Sequence, residues 1–257
     1  MGINYVADAP REVRQFGDEE GVWGGMSQAD VQHVAEIFNT PLTGSYNWDY
    51  RVADNRIQRL YELGKTLNWN GSLDVHWDQT PDWHEQTPIT PESVDEFLAN
   101  ADWTGYAPFD ALSTERKLEF VKHDFAWSLS QFLHGEQGAL LVASQLASCA
   151  PSFNAKMYAA SQTFDEARHV EVFNRYLQTK VGLSYPINQG LKSLLDKILT
   201  DERWDLKFIG MQIVLEGLAL AAFHIAMNDT DDPVLKELLY LVIRDEARHV
   251  TFGVNYL

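Results

Sequence analysis

The sequence predicts an all-α protein whose core is a bundle of four long helices. From residue 113 onward, small and apolar residues recur on helical faces and stop only at a few turn signals. The pentapeptide Asp-Glu-Ala-Arg-His occurs twice in this region, at 165–169 and 245–249, which is an internal repeat. Strand patterns are weak throughout the chain. Long periodic segments joined by short turns are typical of a helix bundle.

The four helices are predicted at 113–149, 152–181, 188–228 and 233–256, the third with a kink near Thr200. Pro151 marks the first tight turn, and the run Asp-Thr-Asp-Asp-Pro at 229–233 marks the second. The residues 182–186, Gly-Leu-Ser-Tyr-Pro, link the two helical hairpins. Residues 113–257 are therefore predicted to form the bundle.

Residues 1–112 have a different character, because six of the eight tryptophans lie here together with most of the prolines and glycines. Helical spacing predicts short helices at 27–39 and 47–67, and Thr90-Pro91 predicts the start of a third through residue 97. The stretch 68–92 has no helical period. We expect this part to wrap around the bundle as an extension of short helices and a Trp-rich loop, so that the chain is one compact unit.

Composition and charge exclude several classes of protein. The 257 residues are 45% hydrophobic, which excludes a disordered chain, and the formal net charge of −17 argues against a nucleic-acid partner. A single cysteine, Cys149, and a start without a secretory signal favour a reducing cytoplasm. The most apolar segment, 211–227, contains Gln212, Glu216 and His224, so we expect no membrane span.

The repeated pentapeptide places potential metal ligands on one face of each of two helices. Glu166 and His169 are three residues apart, as are Glu246 and His249, so each pair projects from one side of its helix. Carboxylate and imidazole groups are both ligands for first-row metals. Each copy therefore predicts half of a metal site.

Two further glutamates stand opposite these pairs. Glu136 precedes Glu166 by 30 residues, and Glu216 precedes Glu246 by the same 30. The midpoints, 151 and 231, fall in the two predicted turns, so the glutamates of each hairpin lie at the same height. Apolar neighbours indicate that Glu136 and Glu216 are buried, and four buried carboxylates are tolerated only if they bind metal or protons. Six ligands with four negative charges suit two divalent ions, with iron the first candidate and manganese the second.

The residues beside the ligands can support them. Asp165 and Asp245 are predicted to accept the other ring N–H of a ligating histidine, as second-sphere carboxylates often do. Arg168 and Arg248 are predicted to pair with these aspartates.

This pattern resembles the ferritin-like di-iron carboxylate superfamily, in which Glu, Glu-x-x-His, Glu and Glu-x-x-His lie on four helices. The match covers about 116–257. It is similar to oxygen-activating members: bacterial multicomponent monooxygenase hydroxylases, ribonucleotide reductase small subunit-like oxidases and aldehyde-deformylating oxygenase. The resemblance implies that Glu136 and Glu216 each ligate one iron and that Glu166 and Glu246 bridge the two irons. His169 and His249 would complete the coordination of the irons.

Three positions depart from these relatives. Phe173 stands where a ribonucleotide reductase small subunit carries its radical tyrosine. Leu220 stands where the monooxygenase hydroxylases have threonine, and Val242 stands where arylamine N-oxygenases have an extra histidine ligand. These departures argue against a reductase subunit and against a seventh ligand at position 242.

The resemblance implies an oxygen-activating non-haem di-iron enzyme that uses O2 as co-substrate. We expect a small or medium apolar substrate that undergoes hydroxylation, N-oxygenation or oxidative C–C cleavage. The candidate pocket residues are Phe132, Leu140, Phe173, Leu220 and Phe223. Because no nucleotide-binding motif is present, we expect a separate electron-donor protein, a ferredoxin or a reductase, and we also consider a homodimer. The alternatives are a ferritin-like or rubrerythrin-like protein that handles iron or peroxide, and a radical protein of the reductase type.

Overall fold

The computed structural model describes residues 11–12, 38–40, 43–52, 54–86, 98 and 103–256, and its core is a bundle of four long helices, as predicted. The described helices are α1 (Asn55–Thr66), α2 (Ala107–Asp110), α3 (Thr114–Cys149), α4 (Phe153–Tyr176), α5 (Gln189–Thr200), α6 (Trp204–Asp229) and α7 (Pro233–Tyr256). The bundle consists of α3, α4, α6 and α7. The described strands are β1 (Arg11–Glu12) and β2 (Leu183–Ser184), which form one short antiparallel pair. The all-α prediction is confirmed.

The turns of the bundle lie where the sequence predicted them. Ser113 caps α3 by accepting a hydrogen bond from the backbone N–H of Arg116. Ser152, directly after Pro151, caps α4 in the same way. In the second turn, the Asp232 carboxylate accepts from the N–H of Leu235 at the start of α7. Polar side chains at these predicted helix boundaries therefore cap the helices that follow them.

The third predicted helix, 188–228, is two helices. A break follows Thr200, where a kink was expected, and α6 starts at Trp204. The ammonium group of buried Lys207 donates to the carbonyls of Ile198 and Leu199, 2.8 and 2.7 Å away, and so satisfies the C-terminal end of α5. Within α6, the residues Ile209–Leu215 form a π-helix directly before Glu216. The sequence pattern did not predict this π-helix.

The predicted helix 47–67 is too long at its N-terminus. Residues 47–52 are not helical, because the side chains of Asn47 and Asp49 accept hydrogen bonds from the backbone two residues ahead. Helix α1 begins only at Asn55, with Asp54 as its N-cap. The predicted helix at 90–97 and most of that at 27–39 lie outside the described residues, and the described end of the latter, 38–39, is not helical.

The Trp-rich loop, residues 67–86, has no regular secondary structure apart from a short 3-10 turn at Trp77–Gln79. Trp69 and Trp77 are buried. The Lys180 ammonium donates to the Thr80 carbonyl and the Asp82 carboxylate, both at 2.7 Å, and so attaches the loop to the π-helical turn Leu177–Val181 that follows α4. The division of the chain at residue 112 stays a prediction.

The apolar core consists of two clusters. One contains Ile57, Leu146, Tyr158, Phe208 and Phe252, among others. The other contains Trp69, Val172, Phe173, Phe223 and Leu238, among others. The repeated pentapeptides, which supply buried charged and polar side chains, lie along α4 and α7 between residues that belong to the two clusters.

Helix α6 is unusually apolar for a helix that is only partly covered. Among the described residues, it is the one helix long and apolar enough to span a bilayer by length and composition, with a mean hydropathy of 1.7. Only 28% of its most apolar window is buried. Its buried face carries Glu216, whereas its outer face carries large aliphatic residues.

Candidate metal centre

Six acidic and histidine side chains from four helices converge in the middle of the bundle. They form two overlapping groups, and in each group one oxygen or nitrogen atom from every residue lies within 4.8 Å of the others. The first group is Glu136, Glu166, His169 and Glu246; the second is Glu166, Glu216, Glu246 and His249. All six residues are buried. The structure therefore brings together all six residues that the sequence predicted as ligands, and their binding of metal stays a prediction.

Glu166 and Glu246 belong to both groups, whereas Glu136 and Glu216 each belong to one. The reason lies in the topology. Glu166 and Glu246 are on α4 and α7, the helices that carry the pentapeptides, and their histidines lie one turn further along the same face. Glu136 reaches the cluster from α3, the hairpin partner of α4, and Glu216 reaches it from α6, the hairpin partner of α7. The arrangement is thus two similar halves that share two carboxylates.

Each histidine directs one ring nitrogen to the glutamates and the other to an aspartate of the opposite half. His169 Nδ1 lies 3.0 Å from Glu136 Oε2, and its Nε2 lies 3.2 Å from Asp245 Oδ2. His249 Nδ1 lies 3.1 Å from Glu166 Oε1, and its Nε2 lies 3.3 Å from Asp165 Oδ2. We assign the Nε2 proton to the aspartate contact, which leaves Nδ1 available as a ligand.

Two aspartates and two arginines form a closed, buried network behind the histidines. Arg168 Nη2 lies 2.6 Å from both Asp165 Oδ1 and Asp245 Oδ2. Arg248 Nη2 lies 2.9 Å from Asp165 Oδ2 and 2.8 Å from Asp245 Oδ1. The four charges cancel, so the network can be buried without a net charge. The predicted pairing of Arg168 and Arg248 with these aspartates is therefore present, and it crosses between the two halves.

The N-terminal segment completes this network with two residues that the sequence did not indicate. The indole N–H of Trp69 donates to Asp245 Oδ2 at 2.7 Å, and the Trp69 ring stacks near that of His169. Arg168 Nη1 donates to Asn68 Oδ1 at 2.7 Å. Trp69 lies in an aperiodic loop, so no periodic signal connected it with the helices.

Gln162 is a third residue that the sequence analysis missed. Its amide nitrogen donates to Glu166 Oε1 at 3.0 Å and to Glu216 Oε1 at 2.9 Å, so it links α4 to α6. It lies one turn before Glu166 on the same face, which is a spacing that could have identified it. Gln212 holds the equivalent position before Glu216 and is also buried. Both glutamines place neutral polar groups about one turn from glutamates that could bind metal.

Burial and mutual repulsion raise the pKa of the two outer glutamates. For Glu136, burial is the largest cause, followed by the charge of Glu246. For Glu216, burial is again first, followed by the charges of Glu246 and Glu166. Without a cation, both carboxyl groups are therefore harder to ionise than an exposed glutamate.

At the two histidines, the effect of the nearby charges on the pKa outweighs that of burial. Burial alone lowers the pKa of His169 and His249, but the surrounding carboxylates raise it well above the ordinary value. These imidazolium charges in turn outweigh burial at the shared glutamates, where they hold the pKa of Glu166 well below its usual range and that of Glu246 at about 2. Without a metal ion, the two imidazolium groups are the positive charges that face the glutamate cluster.

The donor set fits two divalent cations. Four carboxylates carry the charge that neutralises two such ions, and two neutral imidazoles add one nitrogen to each group. Two buried carboxylate oxygens, Glu166 Oε2 and Glu246 Oε1, accept no hydrogen bond. They lie 3.4 and 3.0 Å from His169 Nδ1, whose hydrogen bond goes to Glu136. Buried oxygens without donors are costly, and a shared cation satisfies them.

The predicted pocket residues divide into two kinds. Phe173 and Phe223 are buried, and both rings contact that of Phe132, with centroids 6.0 and 4.9 Å away. They form an aromatic cluster on the side of the site that lies toward the end of α6. Leu140 and Leu220 are half-buried. Their role in binding a substrate stays a prediction.

Solved structures with a similar fold are di-metal proteins. Three mutant forms of an R2-like ligand-binding oxidase, each described with a reconstituted Mn/Fe cofactor, superimpose with TM-scores of 0.52–0.53 at 17–18% identity. The matches cover 79–80% of this chain and 73–74% of theirs. The chain has their ferritin-like fold. No protein-family model matches the sequence, and no curated protein sequence matches it.

Metal loading at neutral pH is expected to release protons. Nδ1 of each histidine carries a proton in the metal-free protein, because the carboxylates raise the histidine pKa, and a bound ion displaces this proton. Metal affinity should therefore rise with increasing pH. Titration calorimetry with Fe(II) in buffers of different ionisation enthalpy measures the number of protons released. Binding with no proton release, or weaker binding at higher pH, would contradict this assignment.

Replacing Gln162 by leucine should leave the bundle folded but lower the metal affinity by about 10-fold, because two carboxylates lose the donor that orients them. The structural control is Gln145→Leu, at a partly buried glutamine on α3 whose amide donates to the Leu199 carbonyl. Equilibrium dialysis against Co(II), followed by its absorption spectrum, measures both affinity and ligand geometry. An unchanged spectrum and affinity in Gln162→Leu would show that the glutamine does not position the ligands.

Proposed function

We propose that this protein is an oxygen-activating di-metal oxidase or oxygenase that acts on an apolar organic molecule. The observation that carries the proposal is the pair of overlapping ligand groups, in which Glu166 and Glu246 are shared. Glu166 and Glu246 would hold two ions in common, and such a pair would supply redox chemistry with O2. In this proposal Glu136 and Glu216 are terminal ligands, Glu166 and Glu246 are bridges, and each histidine completes one ion.

The metal ions are proposed to be iron, or one manganese and one iron, and when bound they supply the redox chemistry with O2. Carboxylate and imidazole ligands suit both metals. The related structures carry Mn/Fe, and this supports manganese as one of the two ions here.

The residues around the centre fix the ligands rather than react. The Asp165–Arg248 and Asp245–Arg168 contacts orient the two imidazoles and keep their Nε2 protons in place. The closed charge network makes rotation of either histidine unfavourable, because a rotated ring would leave a buried aspartate without its donor. The site therefore keeps its geometry without help from a substrate.

The apolar side of the site favours an apolar substrate. The cluster of Phe132, Phe173 and Phe223 excludes water from the side of the site that lies toward the end of α6, and no ionised group belongs to it. A hydrocarbon chain or an aromatic ring is the chemistry that such walls accept. Hydroxylation, N-oxygenation and oxidative C–C cleavage are all compatible with it. Leu220, three residues before Phe223 on α6, is the proposed boundary of this pocket toward solvent, whereas Leu140 lies beyond Glu136 on α3, on the other side of the site.

An O2-activating di-metal enzyme needs electrons from a reductant to repeat its catalytic cycle. We propose that this reductant is a separate protein such as a ferredoxin or a reductase. The chain contains no nucleotide-binding glycine motif that would hold a reducing cofactor. Its net charge of −17 favours a donor with a basic docking surface. We propose a soluble protein of a reducing cytoplasm, since the one cysteine, Cys149, is free.

Single-turnover experiments with isotopically labelled oxygen test this function. Protein loaded anaerobically with Fe(II) is mixed with 18O2 and a panel of long-chain alkanes, arylamines and aldehydes, and products are analysed by mass spectrometry. The proposal predicts substrate-dependent O2 consumption and a product that the Glu246→Ala variant does not form. Uptake of iron far beyond two ions per chain would favour iron storage. Preferential consumption of peroxide would favour a rubrerythrin-like role, and a stable organic radical would favour a reductase-like role.

A further inference from the structure

Three buried polar side chains lie at the end of the metal centre where α4 begins and α7 ends. Tyr158 and Gln162 are one turn apart on α4, on the N-terminal side of Glu166. Gln212 is on the N-terminal side of Glu216, in the π-helical part of α6. Each of the three residues is at most 1% exposed. Tyr158, Gln162 and Gln212 are here called the polar layer.

Tyr158 and Gln212 both approach α7 just beyond His249. The centroid of the Tyr158 ring lies 4.4 Å from that of the Phe252 ring. The next residue, Gly253, packs so closely against α6 that a Cβ atom on it would lie 3.0 Å from Gln212 Cβ. The two side chains therefore contact consecutive residues of α7, one turn after the histidine.

The polar layer adjoins the Glu216 side of the centre. Gln162 Nε2 donates to Glu216 Oε1 at 2.9 Å and so joins α4 to α6. The pKa of Tyr158 is raised mainly by burial, and the charges of His249 and Glu216 also act on it. The Tyr158 hydroxyl thus lies within electrostatic reach of two candidate metal ligands.

Four polar atoms of the layer have no hydrogen-bond partner in the part of the chain that the structure describes. They are the Tyr158 hydroxyl, Gln162 Oε1, and both Oε1 and Nε2 of Gln212. Buried polar atoms in folded proteins are nearly always bonded to protein or to ordered water, because an unpaired one is costly. The hydroxyl and the amide N–H groups are donors, whereas the two amide oxygens are acceptors. The layer therefore offers both donors and acceptors and carries no charge.

We propose that the polar layer binds buried water beside Glu216, and that Tyr158 is thereby a positioning residue for this carboxylate. A water molecule both donates and accepts hydrogen bonds, so it satisfies both kinds of atom, and a buried water typically makes about three such bonds. Water held between Tyr158 and Gln162 restrains the amide that donates to Glu216. The positioning part rests on the proposed role of Glu216 as a metal ligand.

The chemistry of the layer disfavours other occupants. A cation would meet the N–H and O–H donors, and an anion would be repelled by the neighbouring glutamates. An apolar molecule would leave four buried polar atoms without partners. The opposite end of the centre, toward the end of α6, is the aromatic cluster of Phe132, Phe173 and Phe223. The two ends therefore differ, and an apolar substrate is expected to approach from the aromatic end only.

Solvent 17O magnetic relaxation dispersion detects water molecules that stay inside a protein, and it tests the proposal. Tyr158→Phe and Gln212→Leu should each lose at least one long-lived water relative to the wild type, in the metal-free full-length chain and in the Zn(II)-loaded protein. The matched control is Tyr176→Phe, at a buried tyrosine of α4 whose hydroxyl donates to Asp232, and it should keep every water. Equal numbers of long-lived waters in the wild type and both variants would overturn the proposal.

Urea unfolding of the metal-free protein gives the sign of the contribution of the hydroxyl. Tyr158→Phe should lower the folding equilibrium constant by about 5-fold, because a hydroxyl bonded to water loses its hydrogen bonds. A hydroxyl without a partner gives the opposite result, since phenylalanine then removes an unpaired polar group and raises the constant. A higher folding constant in Tyr158→Phe would therefore also overturn the water site.

The absorption spectrum of Co(II)-loaded protein tests the positioning role. The bands of Tyr158→Phe should shift from those of the wild type, whereas Tyr176→Phe should have wild-type bands. Loss of the water with an unchanged spectrum would show that Tyr158 does not position Glu216. A wild type that binds no Co(II) would overturn the ligand role of Glu216 and the positioning role with it, whereas the water count of the metal-free protein decides the water site by itself.

Discussion

Replacing Glu246 by alanine is expected to reduce the metal content from two ions per chain to one or none, while the helical fold remains. Glu246 belongs to both ligand groups, so its loss removes a donor from each. At neutral pH the metal-free variant should be less stable than the metal-free wild type, because the two imidazolium groups lose an ionised carboxylate whose pKa they hold at about 2. Elemental analysis after anaerobic Fe(II) loading and gel filtration measures the effect, and Glu166→Ala should behave in the same way.

The matched control is Glu171→Ala, at an exposed glutamate on the same helix as Glu166. It should retain the full metal content. If Glu246→Ala also retained two tightly bound ions, then Glu246 would not bridge them, and the assignment of shared and terminal ligands would be wrong.

Replacing Arg168 by leucine is expected to lower the free energy of unfolding by about 3–5 kcal/mol, since it removes one partner from a buried charge network. Arg168 contacts both Asp165 and Asp245 at 2.6 Å, and its guanidinium group lies over the Trp69 ring. The remaining arginine, Arg248, cannot neutralise two buried aspartates alone. Urea denaturation of the metal-free protein measures the change.

Arg116→Leu is the control for this measurement, because Arg116 pairs with Glu119 on the exposed surface of α3. Such a pair contributes well under about 1 kcal/mol, so its loss should hardly change the unfolding midpoint. Equal and small effects at the two arginines would mean that the buried network does not stabilise the fold.

The six candidate ligands could be located from the sequence because their motif is repeated. Two copies of Glu-x-x-His, with a glutamate 30 residues before each, identify four helix faces that must meet. Turn residues at 151 and 229–233 set the height of each glutamate, and the structure brings all six side chains into contact range. The Asp–Arg network followed from the same repeat, since its members lie next to the ligands.

The site residues that the sequence did not indicate come from segments without a helical periodicity of apolar residues. Trp69 and Asn68 reach the site from the aperiodic loop, and such long-range contacts leave no local pattern. The π-helix before Glu216 also leaves no sequence signal, because its residues are apolar apart from Gln212 and fit an α-helix as well. The early start predicted for α1 failed at Asn47 and Asp49, whose side chains compete for the backbone N–H groups.

The central claim is that the bundle holds two metal ions that share Glu166 and Glu246. The most direct test is anaerobic titration of the metal-free protein with Fe(II), followed by elemental analysis and Mössbauer spectroscopy of the oxidised sample. The account predicts saturation at two irons per chain and magnetic coupling between them, because both ions share carboxylate bridges. Saturation at one iron, uncoupled ions or continued uptake would contradict it.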